Sequence, residues 1–299
     1  MTLVKITVVF FSPAIPAQLA SSARLAGGGR VIADRLRNWI ALGCDVTVLT
    51  TTSGMLMLQD SGVDCPMVAL EVPHEGWLLR RGKLGVAGVY LLRSVLTRNI
   101  ARSQGRQDVV RTASPYIHDV LLAMRLRKKS RAVVVFIGHI FPSPLKRSSY
   151  SGLLPSLMSW LQQWIVFRLC RKSDVYIVTY AHHVRDLERM GIPADRIRTI
   201  ELGMELGAKP DVVPQYDCVS IGRVNRMKGF DDLLKVWEEV TRQLPSASLL
   251  VIGQVSAEAR TILGKSAAKN VQMYGFASEG EKNALLRSSR VFVSTSREE

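Results

Sequence analysis

The sequence predicts an α/β protein made of two Rossmann-type, doubly wound domains. Three observations carry that prediction. Short apolar runs alternate with longer helical stretches along the chain, as parallel sheets covered by helices require. The 299 residues, 47% of them hydrophobic, suffice for two cores. A stretch bearing Gly207, Pro210 and Pro214 (Leu206 to Pro214) breaks the alternation before it restarts. The domains are therefore expected at 1–209 and 210–299.

The first strand is Lys5–Phe10. One lysine ahead of an apolar run has the outline of a secretion signal, but Pro13 and Pro16 interrupt it, and a buried strand fits better. Further strands are read at Asp45–Thr50, Met67–Val72, Asp108–Arg111, Ala132–Ile137, Val175–Val178 and Ile197–Ile200. Helices fill the gaps at about Gly28–Leu42, Leu84–Arg102, Ile117–Lys129, Leu154–Arg171 and Ala181–Met190. The second half repeats the pattern, with strands near 217–221, 248–252, 271–274 and 291–295. Ser148–Phe167 is uncharged, yet Gly152, Pro155, two glutamines and several serines make it a poor membrane-spanning helix.

Composition narrows the function classes. Cys44, Cys65, Cys170 and Cys218 lie far apart, without a C-x-x-C pair, and read as ordinary buried thiols of a reducing, cytoplasmic compartment. Metal-ligand spacing is absent, and Asp231-Asp232 read as acids complementing a helix dipole. The net charge is +15, and the halves differ: residues 1–209 carry 28 Lys/Arg against 14 Asp/Glu, and 210–299 carry 12 against 11. An anionic partner is expected for the first half. No RNP-like, helix-turn-helix or zinc pattern accompanies this charge, so nucleic-acid binding is the weakest of the readings. Trp77 to Arg111, with eight Lys/Arg, and Leu153 to Lys172, with Trp160, Trp164 and Phe167 ahead of Arg168, Arg171 and Lys172, fit either peripheral contact with an anionic membrane or a core stripe with a solvated basic face.

The most informative segment is Ser220-Ile221-Gly222-Arg223-Val224-Asn225-Arg226-Met227-Lys228-Gly229, followed by an amphipathic helix. A strand ends at a glycine, two cations follow five residues apart, and a helix begins. Helix N-terminal amides, glycines that permit close approach and flanking cations suit a diphosphate. The spacing alone also fits a solvated basic loop.

Gly222-Arg223, Lys228-Gly229 and the Leu233-Leu234 helix resemble the donor-phosphate loop of glycosyltransferase family 4, the group 1 glycosyltransferases of GT-B architecture. The resemblance continues through Leu249–Gly253, Asn270–Phe276 and Val291–Glu299, and reaches back to the N-terminus. It implies two domains facing across a cleft, with the second expected to be incomplete because the chain stops at Glu299, directly after a strand. The implied reaction is retaining transfer from a nucleoside diphosphate sugar to a lipid-linked or saccharide acceptor, without a metal or other cofactor, in cell-surface polysaccharide or glycolipid assembly. A fragment that binds donor or membrane without turnover is the alternative.

The resemblance also implies roles. Arg223 and Lys228 would neutralise the leaving phosphate, and Gly222, Gly253 and Gly275 would line the donor. His139, closing the apolar run Ala132–Gly138, would contact the transferred sugar. Glu299 fits the first glutamate of the family's E-x7-E pair. Gly28 and Gly29 match the glycine-rich loop that approaches donor and acceptor; their spacing alone fits a plain helix entry.

Overall fold

The valine-rich runs of the first half become the middle of a seven-stranded sheet. The computed structural model describes residues 3–11, 27–146, 152–201, 203 and 212–297, and the chain divides into two units, the first made of residues 1–146 and 153–203 and the second of the remainder. The first contains β1 (Lys5–Phe10), α1 (Gly27–Ala41), β2 (Asp45–Thr51), α2 (Thr52–Asp60), β3 (Met67–Leu70), α3 (Glu75–Leu79) and α4 (Gly82–Ser103). It continues through β4 (Gln107–Thr112), α5 (Ile117–Leu126), β5 (Ser130–Ile137), α6 (Leu153–Cys170), β6 (Val175–Val178), α7 (Ala181–Arg189) and β7 (Ile197–Thr199).

All seven strands are parallel, in the order β3-β2-β1-β4-β5-β6-β7. A parallel sheet buried on both faces demands an unbroken apolar strand rather than an alternating one, and β1 supplies it. Val9 packs with Val110, Val133 and Val135 on one face. Val8 and Phe10 pack with Ile32 and Leu36 on the other. That is why the N-terminal run looked like a secretion signal.

In this unit the expected strands are present within two residues at each end, and two short helices were not foreseen. α2 begins among residues that disfavour helix, Thr51, Thr52 and Gly54, and is started by a cap, the Thr51 hydroxyl accepting from the Gly54 amide. α3 spans only five residues and follows His74 in the left-handed region (φ 57°). Neither has the length that periodicity needs.

The second unit contains β8 (Tyr216–Ile221), α8 (Phe230–Gln243), β9 (Leu249–Ile252), α9 (Ala257–Lys265), β10 (Val271–Gly275), α10 (Glu279–Arg287) and β11 (Ser289–Phe292). Its sheet is parallel, in the order β10-β9-β8-β11. Phe230, Leu233, Leu234 and Trp237, at helical spacing, bury one stripe of α8 against Leu249 and Val251. The Trp237 indole N–H donates to the Lys269 carbonyl at 2.9 Å, so the polar end of the ring is satisfied. Val219, Leu250 and Ile252 face the other side, toward Leu285 and Leu286 of α10. A capping box between Ser278 and Glu281 opens α10. The last strand ends at Phe292 rather than at 295, although the Val293 amide still donates to the Val219 carbonyl at 2.9 Å. Among the described residues, no helix is long and apolar enough to cross a membrane.

Candidate functional site

In open α/β sheets, ligands bind at the carboxyl ends of strands where the strand order reverses. In the second unit that point lies between β8 and β11, because the chain builds outward from β8 in both directions. A pocket opens there. Its walls include Gly222, Arg223 and Lys228 from the loop after β8, and Ser294, Thr295 and Ser296 from the segment after β11.

Three glycines mark the ends of the neighbouring strands. The Gly222 amide donates to Ile252 O at 3.0 Å, and the Gly253 amide to Gly275 O at 2.7 Å, so the strand ends are stitched side by side. Gly253 has no substitute: its φ is +147°, and a Cβ would lie 1.8 Å from the Gly222 carbonyl oxygen. Of the three, Gly222 lines the pocket itself, together with Val251, Phe230 and Leu233.

The loop that carries the cations is rigidly wound. After Arg223, the Val224 amide donates to the Gln254 carbonyl at 2.9 Å. The Asn225 side chain then accepts from the Lys228 amide at 3.0 Å, closing a 3-10 turn over Arg226–Lys228. This Asx cap is the local reason that five residues suffice to return the chain to the pocket. Arg226 is turned away to Glu258, at 2.9 Å. Arg223 and Lys228 line the pocket, and the Lys228 stem lies against Gly222, its Cγ 4.0 Å from where a Gly222 Cβ would be.

Gly229 ends the turn with φ 66°, and a Cβ there would fall 1.9 Å from the Thr295 carbonyl oxygen. The segment after β11 therefore crosses directly over the start of α8. Thr295 Oγ1 donates to Gly229 O at 2.8 Å. Arg297 completes the strap: its guanidinium donates to Arg226 O and to Asp231 at 2.9 Å each, and also to Asp232. Asp231-Asp232, expected to complement the helix dipole, thus also anchor Arg297. The partners are 66 and 65 residues apart, so no sequence signal pointed to Arg297. Glu299 lies outside the described residues.

In the first unit the strand order reverses between β1 and β4. The Phe11 amide and the Ser114 hydroxyl both donate to Asp119, at 3.3 and 2.7 Å, tying the two strand ends to α5. Complete burial pushes the Asp119 carboxyl up to about 8, and burial pushes the neighbouring His118 down to about 3. Gly28 and Gly29 lie in the first turn of α1. His139 lies just beyond β5, its ring edge-on to Phe141 at 4.7 Å.

His139 belongs to a group that sequence reasoning missed. His182 and His183 stack edge to face at 4.3 Å, and Tyr180 packs 5.5 Å from each. Burial, then His182, then His139 push His183 down to about 4. These residues follow β6, the strand paired with β5, so sheet register rather than sequence spacing brings them to His139. Among the described residues no cluster of His, Cys, Asp or Glu could hold a metal ion.

Residues 25–207 match the family described as Glycosyltransferase Family 4, and residues 210–299 match Glycosyl transferases group 1. Among solved structures the chain resembles Anabaena Alr3699/HepE, determined in complex with UDP and glucose. The TM-score is 0.62 at 12% identity, over 98% of this chain and 74% of that one. It also resembles a UDP-forming trehalose-phosphate synthase from Burkholderia vietnamiensis (TM-score 0.62, 15% identity, 99% and 77% covered). A third is the lipopolysaccharide outer core galactosyltransferase WaaB (TM-score 0.58, 12% identity, 97% and 74% covered). At these identities the likeness is one of fold. No curated protein matches the chain in sequence. The chain belongs to glycosyltransferase family 4: it is a glycosyltransferase with two Rossmann-like units, the second matching the group 1 transferases.

Proposed function

We propose that the protein is a retaining glycosyltransferase that moves a sugar from a nucleoside diphosphate sugar to an acceptor hydroxyl. The observation that carries this reading is the pocket at the β8/β11 reversal, lined by Gly222, Arg223 and Lys228 on one side and Ser294, Thr295 and Ser296 on the other. The solved neighbour holding UDP and glucose supports the donor class.

Departure of the nucleoside diphosphate is the difficult step, because negative charge grows on the phosphate oxygen as the bond to the anomeric carbon breaks. Cations already fixed at that oxygen stabilise the charge without reorganising. In this proposal Arg223 and Lys228 supply that stabilisation in place of a metal, and the start of α8 adds its dipole. The acceptor oxygen bonds to the anomeric carbon on the face the phosphate leaves. Its proton passes to the departing phosphate oxygen, so no separate base is required. His139 takes the sugar-side role that the resemblance implies, and Gly28, Gly29 and Glu299 keep theirs as donor contacts. The acceptor is read as lipid-linked or saccharide, and the setting as polysaccharide or glycolipid assembly on the cytoplasmic face of a membrane.

The test is turnover by the purified chain across UDP-, GDP- and ADP-sugars, with the anomeric configuration of the first product followed by NMR. Nucleoside diphosphate release with retained configuration is expected, reduced by about 10²–10³ for loss of either cation. An inverted product would overturn the stereochemical reading. Unchanged turnover in a folded Arg223→Ala/Lys228→Ala variant would overturn the assigned roles.

A further inference from the structure

A surface helix normally turns a polar side to water, whereas the outer face of α6 is largely apolar. Its buried face carries Ser156, Gln163, Val166, Phe167 and Cys170. Its outer face carries Leu153, Leu154, Leu157, Met158, Trp160, Leu161 and Trp164, each between 43% and 69% exposed. No charge interrupts residues 153–167, and cations gather only at the far end, at Arg168, Arg171 and Lys172. Arg168 lies over the Trp164 ring at 5.0 Å. Between α6 and Met190 runs a groove walled by Trp160, Trp164 and Phe167, with Arg168 and Arg171 at its rim.

We infer that the outer face of α6 is an interfacial docking surface for a bilayer containing anionic phospholipid. The helix lies in the plane of the headgroups: its leucines and tryptophans enter the acyl boundary and its cations meet lipid phosphates. Charge selects this occupant over a second copy of the chain. From Val120 to Ser173 the sequence holds ten Lys/Arg and no Asp or Glu, so the same segment of a second copy would bring further cations and no acids to meet them. A bilayer rich in phosphate offers its complement. α6 is not apolar enough to cross a membrane, which fits a helix lying on the surface. The inference deepens the membrane setting of the proposed function, and it stands or falls without donor chemistry.

The experiment is flotation of the full chain with vesicles of phosphatidylcholine alone, or with about 30% phosphatidylglycerol, with tryptophan emission recorded. The account predicts binding to the anionic vesicles about tenfold or more tighter than to the neutral ones, with a blue shift. Trp160→Ser/Trp164→Ser should abolish binding and shift, and Arg168→Glu/Arg171→Glu should remove the preference for anionic lipid. Equal binding by these variants, absence of binding by the folded parent, or a dimer that the tryptophan variant dissolves would each overturn it. Nucleoside diphosphate binding measured without vesicles should be the same in the parent and the tryptophan variant, which separates failure of this inference from failure of the donor site.

Discussion

The two units solve opposite problems with the same strand-helix alternation. The first is strongly basic, seven-stranded, and exposes an apolar helix face. The second is nearly neutral, four-stranded, and places two cations, Arg223 and Lys228, in a pocket at its strand ends. Charge count and phosphate site therefore do not coincide. Bulk charge reports which surface attracts an anionic partner from a distance. A phosphate site needs a few cations held by backbone geometry, and those are found in the half with the smaller excess.

Breaking the backbone geometry of the second unit should have the largest effect. Gly253→Val places a side chain 1.8 Å from the Gly222 carbonyl oxygen at a φ that valine does not adopt. A loss of roughly 3 kcal/mol or more is expected in the unfolding transition of that unit, with vesicle binding by the first unit retained. Parallel loss of both would erase the distinction drawn between the units.

Arg297→Ala sharpens the comparison within the second unit. It removes charge-assisted hydrogen bonds to Arg226 O, Asp231 and Asp232 that strap the cationic turn to α8. About 1–3 kcal/mol of stability should be lost, along with nucleoside diphosphate affinity, because the turn that holds Lys228 is loosened. Unaltered affinity would show that the Asn225 cap alone fixes the turn.

How much of this was legible follows from where the information sits. The strands were readable because two-sided burial leaves unbroken runs such as Val8–Phe11. The cationic turn was readable because Gly222 through Gly229 are contiguous. The strap was not, since Arg297 meets Asp231 across 66 residues, and neither was the grouping of His182 and His183 beside His139, which depends on β5 pairing with β6. Thr51-Thr52 hid a helix start because a single hydroxyl cap, rather than propensity, decides it. Local chemistry is written along the chain; contacts set by sheet order are written only in the fold.

A smaller effect probes the first unit. Asp119 keeps its proton in the folded state up to about pH 8, against about 4 in the unfolded chain. Over that interval the folded state binds the extra proton, so this group's contribution to stability falls as pH rises and levels off above about 8. Asp119→Asn keeps acceptors for Phe11 and Ser114 without the proton. Its denaturation midpoint should gain on the parent between pH 4 and 8, and a constant difference would contradict the buried neutral carboxyl.

The central claim is that the β8/β11 reversal holds a nucleoside diphosphate through Arg223 and Lys228. Calorimetric titration of UDP, GDP and ADP into the parent and into Arg223→Ala/Lys228→Ala, each checked for intact folding, tests it directly. The account predicts that at least one nucleotide binds the parent and that the double variant binds it at least about tenfold more weakly, as loss of charge-assisted hydrogen bonds requires. Equal affinity in the two proteins would contradict it.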